Sequence, residues 1–352
     1  MFGKAKSKPL VGLDIGSSSV KAVELRKKGS AYELVNLGVE SLGQDTVVDG
    51  AIMDALSVSQ AIEKIFTDNK IKTKDVATAV SGHSVIVKKI PIAAASEAEV
   101  ANAIDYEAQQ NVPFDIADVF KDYQVLGVDS SGNGFDVMLV AVKREKVLNH
   151  TNVLSQAGKT PTVLDIDAFA LQNAFEANYD PDPNLMAALL NVGASIMNIN
   201  IVRGGIPLFT RDVSVGGNQY TDTLQKELDL SFEDAEKLKQ GQDVANIGAD
   251  QRSQHIRSVT EILLLEIQKT FDYFRQTASA ENIQHIYLAG GTASIEGLAD
   301  ALKEEFNIPV EILNPFQKVS INASKFDTSY INEIAPRMAV AVGLALRSFD
   351  AP

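Results

Sequence analysis

Along this chain the spacing of apolar positions switches repeatedly between two and about 3.6 residues, as expected when strands and helices follow one another. Residues 10–25, LVGLDIGSSSVKAVEL, read as an apolar strand, a turn at glycine and a second strand alternating at period two. The plan recurs at 188–202, ALLNVGASIMNINIV, where Asn191 stands for Asp14, Gly193 for Gly16 and Ser195 for Ser18. Each copy predicts a β-hairpin with one buried face. Two related lobes, each opening on that hairpin, would set the two turns facing each other across a cleft.

Between the hairpins, SVSQAIEKIFTDNKI (57–71) has helical spacing and DVATAVSG (75–82) reads as a short strand running into a loop. From 83 to 159 the pattern predicts a self-contained β-α-β-β-α module inserted into the first lobe. Its parts are SVIVKKIPI as strand, a helix capped by Ser96 with Glu99 three residues on, strands FKDYQVLG and FDVMLVAV, and a helix from about Lys143. YDPDPN (179–184) is turn chemistry and marks the lobe boundary. Beyond it, 216–230 and 231–241 predict helices, 243–251 a surface loop and 255–279 a long helix. IQHIYLAGGTASIEGLADALKEEF is a strand, a glycine turn and a helix, and APRMAVAVGLALR a closing helix whose small side chains permit close packing on a sheet. The expected division is 1–82 and 160–187 for the first lobe, 83–159 for the module, 188–218 and 283–332 for the second lobe, 219–282 for a subdomain of it, and 333–352 for a closing helix of the first lobe. The fold class is α/β.

Length supports this division, since 352 residues exceed the ~250–300 at which one core stops growing. A net charge of −14 argues against nucleic acid as a partner. There is no cysteine, and four widely separated histidines suggest no zinc motif, so a reducing, cytoplasmic setting is expected. LMAALL and MAVAVGLAL fall far short of the ~20 residues that span a bilayer. The opening MFGKAKSKP has lysines but no apolar run behind it, and predicts a frayed tail, not an export signal.

GLDIGSSSVK holds the richest chemistry. A strand ending in a carboxylate and turning through glycine brings backbone N–H groups, the Ser17 and Ser18 hydroxyls and the Lys21 ammonium to one place, where phosphate oxygens and a cation near Asp14 would fit. An ordinary hairpin turn with a solvated lysine is the alternative. GKT at 158–160 is no P-loop, because Val153 stands where that motif needs glycine. Covalent hydrolase chemistry also lacks support, since no G-x-S-x-G elbow is present. LAGGTASIEG suits a flat ligand lying on backbone, or a tight turn. Glu236 and Lys239, three apart on a helix, suit a ribose or a surface ion pair. Asp165 and Asp167, just before a helix, suit a cap or a water-positioning role.

The order hairpin, inserted module, connecting helix, second hairpin, glycine pair and closing helix resembles the actin-like ATPase superfamily. Within it, the whole chain resembles the PilM family of type IV pilus assembly proteins, relatives of the division protein FtsA. GLDIGSSSVK, LAGGTASIEGL and GLALRSFD carry the likeness most specifically. It implies a two-lobed actin-like (ribonuclease H-like) ATPase fold, with ATP and Mg²⁺ as cofactors. By resemblance, the first phosphate motif falls on Asp14, Gly16, Ser17, Ser18 and Lys21, with Asp14 meeting Mg²⁺ through water. The second runs from Asn191 to Ser195 and includes Gly193 and Ala194, and the adenosine motif is Gly290, Gly291 and Thr292. Gly217 matches the ribose-side glycine, Glu236 and Lys239 the pair that reaches the sugar, and Asp167 the acid that positions the attacking water. Asn191 departs from the usual aspartate, which implies weak or absent hydrolysis.

The same resemblance implies a cytoplasmic scaffold, held at the inner membrane by the N-terminal peptide of PilN in a groove between the module and the first lobe. The PilN/PilO complex, motor ATPases and the platform protein are implied as further partners, without direct membrane insertion, and self-association is left open. Two alternatives remain. An FtsA-like filament protein is expected to carry an amphipathic helix beyond the last core helix, where this chain stops at Pro352. A small-molecule kinase of the superfamily needs a base beside the γ-phosphate, and only Asp167 would serve.

Overall fold

The computed structural model describes residues 9–129, 132–277 and 282–349, so nearly all of the lysine-rich opening lies outside the described residues. The chain runs β1 (Val11–Ile15), β2 (Ser19–Lys28), β3 (Ala31–Ser41), the short β4 (Val47–Val48) and β5 (Ala51–Ile52), α1 (Ala55–Asp68), β6 (Asp75–Val80) and β7 (Val85–Ile92). It continues with α2 (Glu97–Asn111), β8 (Val119–Val128), β9 (Phe135–Lys143), α3 (Arg144–Gln156), β10 (Thr160–Ile166), α4 (Asp167–Tyr179), β11 (Met186–Val192), β12 (Met197–Arg203) and β13 (Ile206–Val213). After these come α5 (Gly217–Leu228), α6 (Phe232–Lys239), α7 (Ala249–Thr277), β14 (His285–Ala289), α8 (Leu298–Phe306), β15 (Val310–Ile312), β16 (Val319–Ser320), α9 (Thr328–Ile334) and α10 (Ala339–Leu346).

Among the described residues the larger sheets have strand orders β10-β6-β1-β2-β3-β16, β13-β12-β11-β14-β15 and β7-β9-β8. The repeat seen in sequence is a repeat of topology. β1 pairs antiparallel with β2 and parallel with β6, while β11 pairs antiparallel with β12 and parallel with β14. Register matches too, with Asp14 opposite Lys21 and Asn191 opposite Asn198.

Burial explains the layers. α1 and α3 cover one face of the first sheet, packing Ile62, Ile65, Val153 and Leu154 on Val11, Leu13 and Val20. α10 covers the other, and does so at backbone distance. A Cβ at Gly12 would lie 2.1 Å from the Ala341 carbonyl oxygen, and one at Gly343 only 1.7 Å from that of Ala170. The small residues expected to bring the closing helix near a sheet therefore set its depth. Leu171 and Phe175 of α4 pack on Ala187 and Leu189 of the second sheet, whose opposite face is covered by α5 to α8. α4 thus lies between the two lobes. The third sheet has its own core with α2, where Val100, Ile104 and Ala108 meet Ile90, Val137 and Leu139.

Local differences have physical causes. The segment 83–159 is not self-contained, because its last helix, α3, buries Val153 and Leu154 in the core of the first sheet. α7 begins at Ala249, inside the expected loop, where the Arg252 guanidinium is tied to the Leu238 carbonyl oxygen at 2.7 Å and to Glu296 at 2.7 Å. At the start of α2, Ser96 makes no side-chain cap bond, while Glu99 accepts the Ala95 N–H at 2.9 Å. The closing helix is interrupted, since residues 335–338 form a 3₁₀ turn around Pro336, which has no N–H to donate.

Candidate functional site

The hairpin of β1 and β2 turns at Gly16, whose N–H donates to the Ser19 carbonyl at 3.1 Å and leaves Ser17 and Ser18 at the tip. Lys21 Nζ reaches Asp14 Oδ2 at 2.8 Å, with 12% of each side chain exposed. The same ammonium lies 3.2 Å from where a Gly16 Cβ would be, so it closes over the turn. Carboxylate, ammonium and hydroxyls are therefore gathered at one strand end.

The second hairpin is clamped from two sides. Gly193 N–H bonds the Ile196 carbonyl at 2.9 Å, while the Gly193 carbonyl accepts both Gly217 N–H and the Thr292 hydroxyl at 2.9 Å. Asn218 N–H donates to the Ala194 carbonyl at 2.8 Å and Asn218 Nδ2 to Ser195 Oγ at 3.4 Å. Gly290 has φ +92°, and a Cβ there would sit 2.2 Å from the Val192 carbonyl oxygen. Only glycine lets that turn close on the hairpin. A Cβ at Gly291 would meet nothing within 4 Å but the tip of Arg337 at 3.9 Å, so the backbone there is open to a flat ligand. Lys239 Nζ holds Glu236 at 2.5 Å, Thr221 Oγ1 at 2.9 Å and the Gly217 carbonyl at 3.4 Å. The second-lobe residues singled out in sequence thus converge through Gly217 and Gly193.

Asp167 opens α4. Burial and the Asp14 carboxylate push its carboxyl up to about 7, against the Ser81 hydrogen bond and the Lys146 ammonium. Asp165 is placed elsewhere, accepting Ile166 N–H at 2.8 Å and facing Arg347 Nη1 at 3.3 Å. Three residues that sequence reasoning passed over complete the acidic group. Lys146 of α3 donates to the Gly50 carbonyl at 2.9 Å, and burial lowers its pKa although Asp167, Asp212 and Asp49 favour the charged form. Asp212 accepts Asn198 Nδ2 on one oxygen at 2.8 Å and Gly82 N–H on the other at 2.6 Å, and burial raises its carboxyl. Asn198 had a signal available, since it stands seven residues after Asn191 as Lys21 stands seven after Asp14.

These groups fit a magnesium nucleotide. Among the described residues no three His, Asp or Glu side chains gather to enclose a bare cation. Two carboxylates and an amide suit instead the water shell of a Mg²⁺ ion carried in by phosphate. Lys21 and the two hairpin turns supply the donors that phosphate oxygens need.

Comparison with known proteins places this fold. The family described as type IV pilus assembly protein PilM matches residues 12–349. The cell division protein FtsA of Agrobacterium fabrum is 23% identical over 205 residues, 52% of this chain and 46% of that protein, so the chain spans about half the length of this curated relative. FtsA of Staphylococcus epidermidis is 20% identical over 378 residues, covering 94% of this chain and 79% of that protein. A solved PilM-PilN type IV pilus biogenesis complex superposes at TM-score 0.87 with 27% identity, covering 98% of this chain and 100% of that one. The ethanolamine utilization protein EutJ of Carboxydothermus hydrogenoformans follows at TM-score 0.57, 14% identity, and 98% and 91% coverage. MreB5 of Spiroplasma citri bound to AMPPNP gives 0.51, 13%, and 96% and 95%. The fold is that of the actin-like ATPases. Among the described residues no helix is long and apolar enough to cross a membrane.

Proposed function

The chain belongs to the PilM family of type IV pilus assembly proteins, and from that premise we propose that it is an ATP-binding scaffold of pilus biogenesis that holds the N-terminal cytoplasmic peptide of PilN. The observation that carries this reading is the likeness, over the full length of both chains, to a PilM solved with PilN. Nucleotide binding is supported by the two clamped hairpins with Lys21 and the open Gly291 backbone, and by the AMPPNP held in a protein of the same fold. In this assignment Gly16, Ser17, Ser18 and Lys21 take one side of the phosphates and Gly193, Ala194 and Ser195 the other. Gly290, Gly291 and Thr292 take the adenine side, and Gly217, Glu236 and Lys239 the ribose. Asp14 meets Mg²⁺ through water. Asp167, with a carboxyl poised near neutrality, is suited to accept a proton from an attacking water. Asn191 contributes no charge, so turnover is slow and the bound nucleotide acts mainly on conformation.

The peptide's place is the seam between the third sheet and the first lobe. There Val87, Val140, Val142 and Val147 pack beside Val80, Ile166 and Phe169, and Leu148, next to Val147 in sequence, and Leu164, two residues before Ile166, are 51% and 37% exposed. Among the described residues β8 pairs with β9 alone, so its outer edge can add a strand, and an acidic chain suits a peptide carrying basic residues. Through PilN the scaffold sits at the inner membrane and connects the PilN/PilO complex to the motor ATPases and the platform protein. Calorimetry with ATP·Mg²⁺ and, separately, a synthetic PilN N-terminal peptide tests this. Lys21→Ala should lose nucleotide and keep peptide, and Leu148→Glu the reverse. Failure of the unaltered chain to bind either ligand overturns the corresponding half.

A further inference from the structure

Asn191 breaks the internal repeat, yet its amide has a fixed direction. Its Nδ2 donates to Asn198 Oδ1 at 2.8 Å, Asn198 Nδ2 donates to Asp212 Oδ1 at 2.8 Å, and Asp212 Oδ2 accepts Gly82 N–H at 2.6 Å. Chemistry decides the sense of this chain. Against burial, the Gly82 N–H and the Lys146 ammonium favour the ionised form of Asp212, and an ionised carboxylate only accepts, so Asn198, 1% exposed, turns its NH₂ toward Asp212. Its oxygen then faces Asn191, which must answer with its own NH₂. That commits the donor end of Asn191 to Asn198 and leaves Asn191 Oδ1 as the available group, an acceptor where the repeat has the Asp14 carboxylate.

We propose that Asp212 is a positioning residue of the nucleotide site, locking Asn191 through the Asn198 amide as an oxygen acceptor for the water shell of a divalent cation. The proposal rests on the ATP·Mg²⁺ reading above. It resolves the apparent loss of an acid in the second phosphate motif, because the carboxylate is moved two side chains back and sets the amide dipole there. It also predicts which substitutions conflict. In Asp212→Asn the Gly82 N–H cannot turn, so the new amide keeps its oxygen on Gly82 and shows NH₂ to Asn198. Asn198 then reverses, Asn191 reverses after it, and an NH₂ group replaces the acceptor. Shape and the number of hydrogen bonds are unchanged but a charge is lost beside Asp167 and Lys146, so it is the double variant set against N191D, not D212N alone, that separates the relay from a purely electrostatic effect. In Asn191→Asp two acceptors face each other, and adding Asp212→Asn restores a donor to every bond.

The test is ATP affinity of the full chain with and without Mg²⁺, by calorimetry, for the unaltered protein, D212N, N191D and the double variant. In D212N the gain in affinity on adding Mg²⁺ should fall about tenfold, the scale of one charge-assisted hydrogen bond. The double variant should recover that gain and exceed N191D. An unchanged Mg²⁺ effect in D212N, or a double variant no better than N191D, overturns the proposal. If the unaltered chain binds no ATP, it is the nucleotide reading that fails. The relay is also checked without ligand or variant, by NMR of the Asn191 side-chain NH₂. Protons bonded to Asn198 exchange slowly, and free exchange would mean the amide points the other way.

Discussion

Lys21 and Asp14 face each other across the first hairpin in direct register, their charged atoms 2.8 Å apart beside the Gly16 turn. The pair satisfies both charges, and it keeps the ammonium over the turn where phosphate is assigned.

Lys21→Ala removes the cation and leaves a largely buried carboxylate without its partner. Unfolding in urea should show a loss of about 1–3 kcal/mol, and nucleotide affinity should fall at least about tenfold. Unchanged values for both would place phosphate elsewhere.

The carboxyl of Asp167, raised to about 7, makes stability depend on pH with a definite sign. The folded protein retains a proton that the unfolded chain releases near the ordinary carboxylate pKa, so folding binds protons between roughly pH 4 and 7. Stability of the nucleotide-free protein from this group therefore falls as pH rises through that window, by at most about 1.4 kcal/mol per unit, and levels off above it. Melting temperatures from pH 5 to 8 should fall more steeply for the unaltered protein than for Asp167→Asn. Parallel curves would remove Asp167 from the acidic group.

Gly343→Ala and Gly12→Ala put a methyl group into backbone contact between α10 and its neighbours. Each should cost about 3 kcal/mol or more, or prevent folding, because backbone cannot yield as a flexible side chain does. Denaturant midpoints near that of the unaltered protein would mean that α10 does not lie at this depth.

ATP turnover should stay below about one per second, since phosphoryl transfer depends on placing charge and Asn191 supplies none. Asn191→Asp alone sets two acceptors in opposition at Asn198. The variant expected to raise turnover, by one to two orders of magnitude, is Asn191→Asp with Asp212→Asn. A coupled assay reads this directly, and a fast unaltered protein would refute the argument from charge.

Both hairpins, the helix α1 and the glycine turn after β14 could be read from sequence, because period, turn chemistry and the absence of a Cβ act within one segment. For the same reason Asp14, Gly16 and Lys21 stood out, lying within eight consecutive positions. β13 received no assignment. Six of its eight residues are half-buried, so it lacks the in-out alternation that marks a strand. Lys146 and Asp212 were passed over for a different reason. Asp212 and Gly82 are separated by 130 positions and Lys146 and Gly50 by 96. Nothing local marks a carboxylate that will accept a distant N–H, or a lysine that will reach a distant carbonyl. Such groups acquire their roles from desolvation and from partners that only the folded arrangement of α3 and the two hairpin-bearing sheets brings within hydrogen-bond reach.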